Sequence, residues 1–183
     1  MEIPRATAER IRLVVLDVDG VMTDGGVYIG ATGNGEAIEF KRFDVQDGLG
    51  VKMLKQAGIQ VAIVSGRVSE ATELRAAELG VADVFQDDGA RKVMILGLLL
   101  AARKVTWSEV ALLGDDLADL PALRRVGLPA TVANGTAEVR NVAAWRSSTP
   151  GGRGAVREFA EALLKARGEW DELVEEYCRE RGG

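Results

Sequence analysis

The sequence of 183 residues predicts a doubly wound, mostly parallel α/β sheet of the Rossmann-like kind, on three observations. Short, continuous apolar runs recur at 13–16, 60–64, 83–85, 110–113 and 130–132. Runs without polar alternation fit strands buried on both faces of a parallel sheet. The segments between most of them are of helical composition, so strand and helix alternate. Glycine closes two of those segments, Gly58 after 48–57 and Gly80 after 69–79, which is a helix stop signal.

Taken in order, Leu13-Val14-Val15-Leu16 is the first strand and ends on acidic residues. Residues 24–44 then read as a β-hairpin flap. Val27-Tyr28-Ile29 and Ala37-Ile38-Glu39-Phe40 flank a Gly- and Asn-bearing stretch at 30–36, the composition of a turn between paired strands. The segment 92–104 is apolar and helix-favouring, and Gly151-Gly152-Arg153-Gly154 opens a helix over 155–167. The tail, 169–183, carries Trp170, Leu173, Val174 and Tyr177 at helical spacing. Such a stripe packs on its own domain or reaches a neighbour. No repeat or linker divides the chain, so 1–183 is expected to be one domain.

Composition excludes several function classes. With 47% hydrophobic residues, 28% charged residues and a formal net charge of -5, the chain lacks the basic face that nucleic acid requires. There is no histidine, which removes imidazole ligands and Ser-His or Cys-His nucleophile pairs. One cysteine, Cys178, forms no intrachain disulfide. The first residues, 1–12, are charged and carry no apolar run, so neither signal peptide nor membrane span is expected there and cytoplasmic residence is the simplest expectation.

Ligands of open α/β sheets collect outside the carboxyl ends of the strands, and four such places carry reactive groups. Asp17 and Asp19 sit two positions apart after the first strand, with Gly20 next. One carboxylate can attack while the other handles protons, although a helix cap or Asx-turn also uses this pattern. Ser65-Gly66-Arg67 offers a hydroxyl, backbone N–H groups and a guanidinium, the groups that hold phosphate, or else a turn and a solvated arginine. Lys92 places an ammonium at the head of an apolar helix. Asp115, Asp116 and Asp119 bring three carboxylates within five residues after 110–113, suited to a hard cation such as Mg2+ or to an acidic helix N-terminus.

In this chain order, the motifs Asp17-Val18-Asp19-Gly20-Val21, Ser65, Lys92 and Gly114-Asp115-Asp116 with Asp119 resemble the four motifs of the haloacid-dehalogenase superfamily. Over roughly 13–165 the chain resembles its small, capless subfamily of 3-deoxy-D-manno-octulosonate 8-phosphate phosphatases. The short hairpin in place of a cap domain, Asp44-Val45-Gln46-Asp47-Gly48, Ser65-Gly66-Arg67 and the block from Gly151 to Glu158 carry that likeness. Enzymes acting on nine-carbon keto-deoxy sugar acid 9-phosphates share most of these features. Two positions depart from the subfamily: Gln46, where arginine is common, and Gln86-Asp87-Asp88, where a Gln-Gly pair is usual.

The resemblance implies a magnesium-dependent phosphatase. Asp17 is then the nucleophile, and Asp19 protonates the leaving alkoxide before activating water against the aspartyl-phosphate. Mg2+ is implied on Asp17, the backbone carbonyl of Asp19 and Asp115, with Asp116 and Asp119 orienting its waters and Lys92. Ser65 and Lys92 bind phosphoryl oxygens. Gly66, Arg67, Asp47, Gly48 and Arg153 are the expected substrate-binding residues. The subfamily also implies a homotetramer in which a neighbouring subunit completes each active site, and a place in lipopolysaccharide biosynthesis. Two rivals remain from other classes. A phosphorelay receiver uses a similar residue set, but its chain order differs and it lacks the group two residues after the nucleophile. A non-catalytic, regulatory relative is the other.

Overall fold

The computed structural model describes residues 2–182. In chain order its elements are α1 (Arg5–Ala8), β1 (Leu13–Leu16), β2 (Tyr28–Ala31), β3 (Ala37–Phe40), α2 (Val45–Gln56), β4 (Gln60–Ser65), α3 (Glu70–Glu78) and β5 (Asp83–Gln86). There follow α4 (Lys92–Arg103), β6 (Val110–Gly114), α5 (Leu120–Leu123), β7 (Leu128–Thr131), α6 (Ala137–Val142), β8 (Trp145–Arg146), α7 (Ala155–Arg167) and α8 (Trp170–Arg179). Six strands form one sheet in the order β5-β4-β1-β6-β7-β8, with every described pairing in it parallel, and β2 and β3 form a separate antiparallel hairpin.

The apolar runs are continuous because both faces of the sheet are covered. Val14 and Leu16 enter the core under α2 and α7, whereas Leu13 and Val15 enter the core under α4. Val61 and Ile63 of β4 and Ala111 and Leu113 of β6 join the first core, and their alternate neighbours join the second. Burying side chains of this size contributes roughly 1.5–3 kcal/mol each, so the central strands fix the register of everything beside them. Helix α2 crosses α7 closely at Gly50, where a Cβ would lie 2.9 Å from the Cα of Arg157.

Several boundaries differ from the sequence expectation for identifiable reasons. Helix α2 begins at Val45 rather than at 48, because the Asp44 side chain accepts from the Gln46 N–H at 2.9 Å and caps it. Strand β7 spans Leu128–Thr131 rather than 130–132; Pro129 reads as a strand breaker in sequence but is paired with Leu112 here. The tail is a helix on its own domain: Trp170 and Leu173 are buried, and the Arg157 guanidinium lies 4.8 Å from the Trp170 ring centroid.

Candidate active site

In the observed order, the chain reverses direction of travel between β1 and β6, the switch point at which ligands of such sheets bind. Both strands end in acid here. Leu16 pairs with Leu113 in register, so Asp17 and Asp115 leave the sheet side by side. The loop between Asp17 and Thr23 turns at Gly20, whose φ of 91° suits glycine. A Cβ there would also fall 2.1 Å from Asp115 Oδ2. Asn134, just after β7, donates to the Gly20 carbonyl at 3.0 Å and accepts from the Gly151 N–H at 2.7 Å. It thereby ties that loop to the glycine-rich turn ahead of α7, and sequence reasoning passed over it although an Asn-Gly pair after a strand was visible.

Lys92, the first residue of α4, is only 3% exposed. Its ammonium donates to Asp17 Oδ1 and, at 2.5 Å, to Asp119 Oδ1. Asp87 sets the head of α4 by accepting from the Arg91 N–H at 2.9 Å and from its guanidinium at 2.6 Å. The Arg91 side chain holds Asp87 well below the usual carboxylate range. Gln86 accepts from the Ser69 N–H at 2.8 Å, so these two residues of the departing Gln86-Asp87-Asp88 segment have local work.

Asp17, Asp115 and Asp119 each offer an oxygen within 4.8 Å of the others. Both oxygens of Asp119 are already engaged: Oδ1 by Lys92, and Oδ2 by the N–H groups of Asp115 and Asp116 at 3.0 and 3.3 Å. Lys92 engages only Oδ1 of Asp17, and among the described residues nothing hydrogen-bonds to the Asp115 carboxylate. Burial and then the Asp119 charge push Asp17 up to about 7 against the pull of Lys92. Burial and then the charges of Asp17, Asp119 and Asp116 push Asp115 up to about 8. Burial alone would push Lys92 down, but Asp17 and Asp119 hold it above the ordinary lysine range. An all-oxygen site with uncompensated negative charge fits a hard divalent cation.

Other expected residues fall on either side of this centre. Ser65 is buried at the end of β4, its hydroxyl donating to the Arg67 carbonyl at 2.9 Å and accepting from the Arg67 N–H at 3.0 Å. Gly66 abuts Ala90, at the entrance to α4. Arg67 reaches Glu39 at 2.7 Å and Asp19 at 3.6 Å. Arg153 is exposed, near enough to Asp24 for its charge to help lower that carboxyl after Tyr28 and the Gly26 N–H do so.

Three further expected residues have local contacts of their own. Asp116 is exposed and accepts from the Leu117 N–H at 2.7 Å, so one of its oxygens closes its own turn. Asp47 is 3% exposed and accepts from the Arg157 N–H at 2.8 Å. It satisfies backbone donors in the first turn of α7 from a neighbouring helix. Gly48 faces Arg75 and Leu79 at the end of α3, not the strand ends. Asp47→Ala is therefore expected to lower stability by roughly 1–3 kcal/mol in urea unfolding while kcat stays within about twofold.

A doubly wound parallel sheet that brings a buried aspartate, a paired lysine and an acidic cluster together at the switch point fits a phosphoric monoester hydrolase. Comparison with known proteins agrees. The sequence model of the haloacid dehalogenase-like hydrolases matches residues 49–127. The 3-deoxy-D-manno-octulosonate 8-phosphate phosphatase of Escherichia coli K12 is 41% identical over 167 residues, 91% of this chain and 86% of the relative. The crystal structure of the Yersinia pestis phosphatase of that name superposes with a TM-score of 0.85 at 38% identity, covering 91% of this chain and 88% of the other. That of the Moraxella catarrhalis enzyme, in complex with magnesium ion, phosphate ion and KDO, gives 0.86 at 38% identity over 94% and 97%. The chain belongs to the haloacid dehalogenase-like hydrolases and, within them, to the 3-deoxy-D-manno-octulosonate 8-phosphate phosphatase family of phosphoric monoester hydrolases.

Proposed function

We propose that this chain hydrolyses a sugar-acid phosphate, by preference 3-deoxy-D-manno-octulosonate 8-phosphate, through an aspartyl-phosphate on Asp17. The observation that carries the reading is Asp17 itself, buried, fixed through Oδ1 by Lys92, and with Oδ2 left by that lysine beside the acidic cluster of Asp115 and Asp119. That Oδ2 attacks phosphorus and the leaving alkoxide takes a proton from Asp19. Asp19 then accepts a proton from the water that cleaves the aspartyl-phosphate, so one hard step becomes two. Lys92 neutralises charge on the transferring group, and Ser65 turns its hydroxyl toward a phosphoryl oxygen. Magnesium, held by Asp17, the Asp19 carbonyl and Asp115, supplies Lewis-acid neutralisation of the phosphoryl oxygens. The identity to relatives that bear this phosphatase name supports the substrate class.

Phosphate release from a panel of eight- and nine-carbon keto-deoxy sugar acid phosphates, with magnesium and with excess EDTA, tests the reading. Magnesium-dependent turnover is expected, fastest on the eight-carbon ester. A preference for the nine-carbon ester changes the substrate, and inertness on the whole panel points to a regulatory relative.

The same reading includes a homotetramer. Val27, Tyr28, Ile29 and Phe40 of the hairpin region are exposed, which supports association through it, and so small a flap excludes water only with a neighbour's help. Light scattering at micromolar concentration is expected to give four chains, and a monomer contradicts shared sites. Cytoplasmic residence and lipopolysaccharide biosynthesis complete the proposal. Among the described residues, no helix is long and apolar enough to cross a membrane.

A further inference from the structure

Lys41 follows β3 at the root of the hairpin, and its side chain is 1% exposed. Lysine is almost never so buried unless it is paired. Here the ammonium donates to Asp19 Oδ1, its one hydrogen-bond partner among the described residues. The same oxygen lies 3.6 Å from the Arg67 guanidinium, which is itself held by Glu39 of β3 at 2.7 Å. Charges therefore alternate along Glu39, Arg67, Asp19 and Lys41. Both cations are gathered on Oδ1, and among the described residues Asp19 Oδ2 has no partner.

The residues that follow Lys41 are fixed in place. Thr23 and Phe43 form an antiparallel bridge, and the neighbouring Arg42 donates to the Gly152 carbonyl. The hairpin root is thus pinned to the loop that carries Asp19 and to the turn ahead of α7, while the exposed hairpin strands lie beyond it.

We propose that Lys41 is a positioning residue for Asp19, resting on the reading of Asp19 as the acid–base group. By fixing Oδ1, the ammonium aims Oδ2 at the oxygen that leaves or attacks. Acid–base catalysis is sensitive to such aim, since a misplacement of about 1 Å can cost about 10²-fold. Lys41 is too buried to meet the sugar, so its effect runs through Asp19.

The test is a double-mutant cycle with Lys41→Met and Asp19→Asn, measured with magnesium on 3-deoxy-D-manno-octulosonate 8-phosphate and on p-nitrophenyl phosphate. Using both esters keeps the result independent of the preferred sugar. Lys41→Met is expected to lower kcat about 10- to 100-fold with KM within about threefold. The double variant is expected to be no slower than Asp19→Asn alone, because residues that act as one unit are not additive. Lys41→Arg is expected to restore part of the rate. If Lys41→Met fails to melt like the wild type, Lys41→Gln takes its place in the cycle, and Lys41→Arg still reads rescue.

A loss of kcat that adds to that of Asp19→Asn overturns the proposal in favour of a structural role. A rise in KM alone overturns it in favour of substrate binding, and unchanged kinetics overturn it outright. If Asp19→Asn itself is fully active, the underlying assignment of Asp19 fails first. If Asp19→Asn is slow and Lys41→Met is not, only the role of Lys41 fails.

Discussion

Asp17→Asn is expected to lower kcat by roughly 10⁴–10⁶-fold, the range found when a covalent nucleophile is removed. The change is nearly isosteric and keeps an acceptor for Lys92, so the fold is expected to survive. One negative charge leaves a centre where Asp17, Asp115 and Asp119 crowd within 4.8 Å, and melting of the metal-free variant is therefore expected at or above the wild-type temperature at pH 8. A variant that keeps wild-type kcat assigns the nucleophile elsewhere, and one that does not fold fails the charge-crowding account instead.

The second large effect concerns the cation. In excess EDTA, turnover is expected to vanish, and the melting temperature is expected to fall as pH rises from about 4 to about 8. The sign follows from the folded-state values. Asp17 is pushed up to about 7 and Asp115 up to about 8, both above the unfolded value near 3.9. Raised acids bind protons more tightly in the folded chain, so their contribution is complete below pH 4 and is lost as pH climbs through 7 and 8. A divalent cation favours the ionised forms and offsets that loss. At a free concentration about 100 times its Kd, it adds about 2.7 kcal/mol to stability. Asp115→Asn is expected to abolish the magnesium-dependent rise and to flatten the metal-free pH profile. A profile that rises with pH contradicts the crowding of the three carboxylates.

Much of the sheet was legible because its central strands are buried on both faces. Leu13–Leu16 and Val110–Gly114 read as uninterrupted apolar runs only because helices cover both sides. Pro129 hid the start of β7, and the two residues of β8 are too few for any periodicity. Acidic and basic groups at strand ends were legible as candidates for the same topological reason: Asp17, Ser65, Lys92 and Asp115 follow or face strand ends in chain order. Their burial and pairing were not. Asp116 and Asp119 look alike in sequence, yet one is exposed and closes its own turn while the other is 1% exposed beneath Lys92. The helix end that Asp47 satisfies lies 110 residues further along, so that contact left no local signal. Lys41 gave no local signal, since its partner sits 22 residues away across the hairpin root.

The most direct test of an aspartyl-phosphate on Asp17 is to trap it. Enzyme, magnesium and 3-deoxy-D-manno-octulosonate 8-phosphate are mixed, quenched in acid within one turnover and reduced with borohydride, which converts an acyl phosphate of aspartate to homoserine. Homoserine at position 17, absent when substrate is withheld, is the expected result. Phosphate release with position 17 unmodified, or homoserine at another aspartate, contradicts the account.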